Sequence, residues 1–281
     1  MNKLISNQVL ASIIDSCSIG CSFCFRADRG SNYIMPNTFS IALSRLHEIG
    51  VRNICLTGGE PTEHPMLEDL VKLAIGFGFS VSMISSTRSV CGINCLKSIQ
   101  KYLTHLNFSA DSYHTSKFSN ANRDLNSAGK IINSLDNIPI TLNIVSYNLS
   151  ESEVISIDNF SKTHDVQVTF SPLVLSEKQL SVLNVDQRIY NKIISRDKDI
   201  IFEYSNSDTI KYLRLTSRKK CLCSSPRLYL SSKGELSFCP YSKNRVSVNT
   251  KRLLLKDTIL EMNNSRGSFL DKCTNICGEL K

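Results

Sequence analysis

Long apolar runs are missing from this 281-residue sequence; nothing in it approaches the roughly 18 residues that a membrane-spanning helix needs. The N-terminal stretch MNKLISNQVLASIIDS carries Asn, Gln, Ser and Asp through its apolar part, unlike a secretory signal peptide. Long internal repeats and low-complexity tracts are missing too, and so is any dense block of charge. The net charge is +8, with Lys and Arg scattered and the densest run at SRKK, 217 to 220. That pattern suits a solvated basic face better than a nucleic-acid surface. Together these absences exclude a membrane span, argue against nucleic acid as a partner, and place the chain in the cytoplasm by expectation.

What is present is apolar content for a large core. At 41% hydrophobic residues the chain can form one domain of about 200 residues with a smaller companion, and disorder is not expected. Eleven cysteines are also present, an odd number in a reducing compartment, which points to metal binding rather than disulfides. Three of them, Cys17, Cys21 and Cys24, lie in DSCSIGCSFCF with Phe23 just before the last. Five fall in the tail, at Cys221, Cys223, Cys239, Cys273 and Cys277. Cys55, Cys91 and Cys95 lie between and read as small buried hydrophobes.

Between the two cysteine groups, short β-rich runs alternate with helical patterns. VLASIID (9–15), RNICLT (52–57), FSVSMIS (79–85), HLNFSA (105–110), PITLNIV (139–145) and VQVTFS (166–171) read as six strands. NTFSIALSRLHEIG (37–50) reads as a helix capped by Asn37 or Thr38 and stopped by Gly50. Successive strand-to-helix repeats imply a parallel α/β sheet or partial barrel, whose ligands belong at the C-terminal ends of the strands. The cysteine loop, TGGEPTEHP (57–65), STRS (86–89) and DSYH (111–114) all follow strands and so should converge on one rim. After about residue 200 the alternation stops; RLYLSSKGELSFCPY (227–241) reads as a hairpin turning at Lys233-Gly234, and LLLKDTILEM (253–262) as a helix. His64 beside Pro65 reads as structure at the start of a helix.

Three thiolates at intervals of four and three residues can hold three corners of a four-iron, four-sulfur cube and leave the fourth iron open. A structural zinc site would need a fourth ligand, and no Cys or His lies near enough in sequence to supply one. CxxxCxxC with an aromatic before the last cysteine, followed one strand later by GGEP, resembles the radical S-adenosylmethionine (radical SAM) enzymes. The resemblance implies a partial (β/α)6 TIM-type barrel over residues 1–205. Its open iron would chelate S-adenosylmethionine, and a reducing partner such as flavodoxin or ferredoxin would drive cleavage to a 5′-deoxyadenosyl radical that removes a substrate hydrogen atom. It also implies cofactor contacts at Gly58, Gly59, Glu60 and Pro61, with Glu60 offering a carboxylate to the cofactor's ammonium, and at Ser109, Asp111 and Asn143. Ser86-Thr87-Arg88 departs from the Thr-Asn-Gly often found after the third strand in the family. His114, three residues past Asp111, is a candidate catalytic residue on the same rim.

In the tail, Cys223 and Cys239 flank Gly234 with the spacing of the auxiliary-cluster modules called SPASM and twitch. The shorter twitch form, a β-hairpin plus helix over residues 206–281, would hold a second [4Fe-4S] cluster on Cys223, Cys239, Cys273 and Cys277. Cys221 is then left over as a candidate hydrogen donor, and the reverse assignment of Cys221 and Cys223 stays open.

The expected function is therefore hydrogen abstraction giving epimerisation or dehydrogenation of a small carbohydrate-like molecule. The first strand begins within ten residues of Met1, which on the resemblance favours a small substrate over a peptide. The alternative within the family is a leader-independent peptide maturase forming an epimer or crosslink. Outside it, the alternative is a zinc-stabilised nucleic-acid-binding or regulatory protein.

Overall fold

The computed structural model describes residues 7–24, 30–111, 123–136, 138–146, 149–172, 212–213, 228–238 and 244–264. Six parallel strands form its centre: β1 (Gln8–Ile14), β2 (Asn53–Gly58), β3 (Ser80–Ser85), β4 (His105–Asp111), β5 (Ile140–Ser146) and β6 (Gln167–Pro172). All lie within one residue of the sequence expectation. Helices α1 (Pro36–Glu48), α2 (Leu67–Gly76), α3 (Val90–Ile99), α4 (Leu125–Ile132) and α5 (Glu151–His164) follow the first five in turn. This is the α/β architecture of a partial (β/α) barrel, with consecutive strands side by side. Among the described residues no helix is long and apolar enough to cross a membrane.

Short strands extend the sheet at both edges. β7 (Tyr212–Leu213) runs parallel to β6, and β8 (Leu228–Leu230) runs parallel to β1. β8 turns into β9 (Glu235–Ser237), which pairs antiparallel with β10 (Val246–Ser247) ahead of α6 (Arg252–Asn264). The expected hairpin is thus present, and it continues the barrel sheet. The register shows why: Leu228 and Leu230 align with Val9 and Ala11, so they prolong the apolar face of β1. Gly234 makes the turn at φ 73°, and a Cβ there would meet Thr38 Cγ2 at 2.5 Å. Lys233-Gly234 therefore presses against α1 without room for a side chain.

Register and burial divide the sheet into two unlike faces. Side chains alternate along each strand and matched residues of paired strands share a face. Leu56, Met83, Leu106, Phe108, Leu142 and Val168 share the helix-covered face and are buried in the main core. The opposite face carries Ser82, His105, Asn107, Thr141, Asn143 and Thr169, of which only Thr141 is fully buried. His105 Nε2 and Thr141 Oγ1 are 2.9 Å apart, and the Thr169 hydroxyl donates to Asn143 Oδ1 at 3.4 Å. Hydrocarbon packing under the helices thus contrasts with a mixed lining on the inner face of the barrel, where these polar groups alternate with Leu10, Cys55, Ile84 and Val145.

Two local expectations are corrected. α1 begins at Pro36, with Met35 at the cap position and no side-chain cap, because a proline in the first turn needs no N–H partner and already has a helical φ. Gly50 does lie past its end at φ 92°. Cys91, at the start of α3, is exposed, Cys95 is half-buried, and only Cys55 is buried; Cys91 falls on the solvent side of the helix.

Candidate active site

The cysteine loop leaves β1 clamped from two sides. On one, Asp15 N–H donates to Asn32 O at 2.8 Å and Asn32 Nδ2 donates to Asp15 Oδ2 at 3.1 Å. On the other, the turn after β2 lies directly against it: Gly59 N–H donates to Ile14 O at 2.6 Å and Glu60 N–H to Ser16 O at 3.0 Å. This contact explains the two glycines. A Cβ on Gly58 would stand 2.2 Å from Ile14 O, and one on Gly59 would stand 1.7 Å from Ser16 O. Their missing side chains let the turn pack on the protein's own cysteine-bearing backbone. Glu63 adds a further clamp, accepting from Ser18 N–H at 2.9 Å and from the Ser18 hydroxyl at 2.5 Å.

Glu60 points into the protein. Its Oε1 accepts from Thr62 N–H (3.1 Å), the Thr62 hydroxyl (2.8 Å) and the Ser85 hydroxyl (2.8 Å), and Oε2 accepts from Ser86 N–H at 2.7 Å. Ser85 pairs in register with Phe108, on the helix-covered face, and Glu60 is 1% exposed. Burial raises its pKa, while the four hydrogen bonds oppose that rise. This carboxylate, which the resemblance assigns to the cofactor's ammonium, also joins the turn after β2 to the end of β3, with Pro61 buried behind it.

Arg88 is the last residue of Ser86-Thr87-Arg88 and stands where the family's pattern has Gly. Its guanidinium donates to Ser86 O (3.1 Å), Thr87 O (2.9 Å), Ser109 O (3.0 Å) and the Ser127 hydroxyl (3.1 Å), and it lies over the Phe108 ring at 4.7 Å. Burial, then the neighbouring Arg123, lower its pKa to about 10. Arg88 thereby ties the ends of β3 and β4 to α4.

Ser109, Asp111 and Asn143 share the inner face, as the sequence reading needs for a cofactor contact. Asp111 is joined there by Arg123, with NH2 3.1 Å from Oδ1. The same guanidinium donates from NH1 to Cys21 Sγ at 2.9 Å and sits 5.9 Å from the Phe23 ring centre. Cys21 is buried, while Cys17 and Cys24 are half-buried. Arg123 and Glu63 are not marked in the sequence, and Arg88 is marked there only as a departure from the family's pattern. Their partners are distant in the chain, and no spacing rule marks them. His64 is helix-start structure as read: Met66 N–H donates to Nδ1 at 3.1 Å, so Nε2–H donates to Ile34 O at 3.0 Å. His114, Cys221, Cys223, Cys239, Cys273 and Cys277 lie outside the described residues.

The residues fit an iron-sulfur cluster with an anionic ligand. A single ion needs its ligands within about 2.3 Å of one point, and among the described residues no three His, Cys, Asp or Glu side chains are gathered in that way. A four-iron cube instead takes its thiolates at separate corners. Arg123 Nε is buried without a hydrogen-bond partner among the described residues, an open cationic donor beside the loop that suits a ligand bearing a carboxylate.

Residues 11–150 match the Radical SAM superfamily, and the chain belongs to it. Over 74 residues, 26% of this chain and 27% of its relative, it is 38% identical to an S-adenosylmethionine-dependent nucleotide dehydratase of Thermoplasmatales archaeon (strain ISO4-H5). A nucleotide dehydratase of the same description from Flammeovirga pacifica is 31% identical over 140 residues, 45% of this chain and 48% of that one. The chain thus spans less than half the length of these curated relatives. Among solved structures it is similar to Streptococcus suis SuiB bound to S-adenosylmethionine, with TM-score 0.68 and 14% identity, covering 95% of this chain and 68% of that one. It is likewise similar to anSMEcpe with bound AdoMet and Cp18Cys peptide, with TM-score 0.66 and 14% identity, covering 96% and 88%. At such identities the likeness is one of fold.

Proposed function

We propose that this protein reductively cleaves S-adenosylmethionine and removes a hydrogen atom from a small, hydroxyl-rich substrate of carbohydrate or nucleotide type, in the cytoplasm, with a flavodoxin- or ferredoxin-like reductant. The observation that carries the substrate class is the inner face of the sheet. Asn107 and Asn143, with Ser109 and Asp111 towards the C-terminal end of β4, carry polar groups there that can bond the hydroxyl and amide groups of a ligand, beside the apolar Ile84 and Val145. The names of the two relatives, both nucleotide dehydratases, support the same class.

In this reading Cys17, Cys21 and Cys24 would hold the cluster and leave one iron for S-adenosylmethionine. Bound there, the cofactor supplies the radical chemistry. The chain's own residues do the rest. Gly59 and Glu60 N–H, with Glu63, fix the loop against the β2 turn. Glu60 and Arg88 hold the β2, β3 and β4 ends in register with one another. Ser109, Asp111 and Asn143 present polar groups to the cofactor from the inner face. The tail is assigned from its spacing: Cys223, Cys239, Cys273 and Cys277 to an auxiliary [4Fe-4S] cluster, with Cys221 as candidate hydrogen donor and His114 as a candidate rim residue.

The test is 5′-deoxyadenosine release by anaerobically reconstituted protein with dithionite, challenged in parallel with nucleotides, sugars and peptides. Stimulation by a nucleotide or sugar, with substrate deuterium carried into 5′-deoxyadenosine, supports the reading. Stimulation by peptides alone would overturn the substrate class.

A further inference from the structure

We propose that Arg123 is a positioning residue of the cysteine loop that raises the reduction potential of the cluster held there. The inference rests on the reading that Cys17, Cys21 and Cys24 ligate a four-iron cluster. Arg123 reaches Cys21 from 102 residues away and donates to its Sγ at 2.9 Å. Its other terminal nitrogen is 3.1 Å from Asp111 Oδ1, with the two side chains 5% and 0% exposed. The Phe23 ring lies beside the guanidinium. A buried cation is therefore fixed against one ligating sulfur by a carboxylate and a ring.

Reduction adds one electron, and so one negative charge, to the cluster; no bond forms or breaks. A donor on a ligating sulfur and a positive charge beside it favour the more negative state, so the potential rises. Bulk salt screens a buried charge weakly, so the effect persists at physiological ionic strength. Asp111 offsets part of the charge, but it also sets the direction of the fork. Only a planar guanidinium meets the sulfur and the carboxylate at once, so Lys at this position keeps charge without the geometry.

The experiment is an EPR-monitored redox titration of the full reconstituted chain, without S-adenosylmethionine, with iron counted in each sample. Arg123→Met leaves Asp111 buried without its cation and can fail to fold, so Asp111→Asn with Arg123→Met is measured beside it. At equal iron content Arg123→Met should be harder to reduce, with the reduced-to-oxidised ratio at a fixed potential falling at least tenfold, equivalent to 59 mV for one electron, and the double variant, which also loses the offsetting Asp111 charge, should fall by less in the same direction. Arg123→Lys should fall between Arg123→Met and the natural chain. An unchanged potential in the double variant, or folded variants that no longer hold iron, would overturn the proposal. A natural chain that takes up no cluster would instead overturn the reading beneath it.

Discussion

Glu63 and Ser18, 45 residues apart, are joined twice: the Glu63 carboxylate accepts both the backbone N–H and the hydroxyl of Ser18. The turn after β2 thus holds the loop after β1 by a side chain as well as by Gly59 and Glu60 N–H. The segment that carries Cys17, Cys21 and Cys24 is accordingly tied to the turn after β2 through Gly59, Glu60 and Glu63.

Glu63→Ala should lower the iron retained after desalting, because charge-assisted hydrogen bonds are worth about 1.5 to 3 kcal/mol and two are lost at the loop. The fold should persist by circular dichroism. Iron retention equal to that of the natural chain would show that the clamp is incidental.

Glu60→Gln places an amide among donors. Thr62 N–H and Ser86 N–H both point at the carboxylate, so the NH2 of Gln must face one of them. A cost of about 1 to 3 kcal/mol is expected, seen as a lower denaturation midpoint of the apoprotein and as weaker S-adenosylmethionine binding at equal iron. Loss of cofactor affinity with an unchanged midpoint would make Glu60 a cofactor contact alone.

Gly59→Ala has no accommodating movement, since the new Cβ would stand on the Ser16 carbonyl at 1.7 Å. Iron incorporation should fall at least tenfold, or the chain should fail to express in soluble form. Normal incorporation would contradict the close approach of the two segments.

His64 gives the stability a pH dependence of known sign. Burial lowers its pKa below the ordinary 6.5, opposed by the bond to Ile34 O, and Nδ1 is occupied as an acceptor. The unfolded chain binds the proton more readily, so the stabilisation from neutral His64 is present above about pH 6.5 and is lost as pH falls towards the folded value. His105, also lowered by burial, acts in the same direction. Between pH 7.5 and 5.5 the denaturation midpoint should fall, and His64→Gln should flatten part of the slope. Identical slopes would rule His64 out.

The strands were legible because their β-rich runs are short, buried on at least one face and bounded by turns, and their C-terminal ends announced the rim. The spacing of Cys17, Cys21 and Cys24 and the GGEP turn were legible for a chemical reason, since few tasks need three thiolates in eight residues. Glu63 and Arg123 were not. Each works on a partner brought close only by the fold, as with Arg123 and Cys21 across 102 residues, and a lone charged residue in sequence looks like any surface charge. The inward turn of Glu60 was hidden as well, because it depends on Ser85 and Ser86 at the end of the next strand.

The central claim is that the loop of Cys17, Cys21 and Cys24 is where S-adenosylmethionine is cleaved. The direct measurement is 5′-deoxyadenosine formed under dithionite by the natural chain and by the variant with all three cysteines changed to Ala, each anaerobically reconstituted and assayed for iron. The natural chain should hold about eight irons if both cysteine groups carry four-iron clusters. The variant should lose about half of these and form no 5′-deoxyadenosine. Undiminished 5′-deoxyadenosine from the variant would contradict the account.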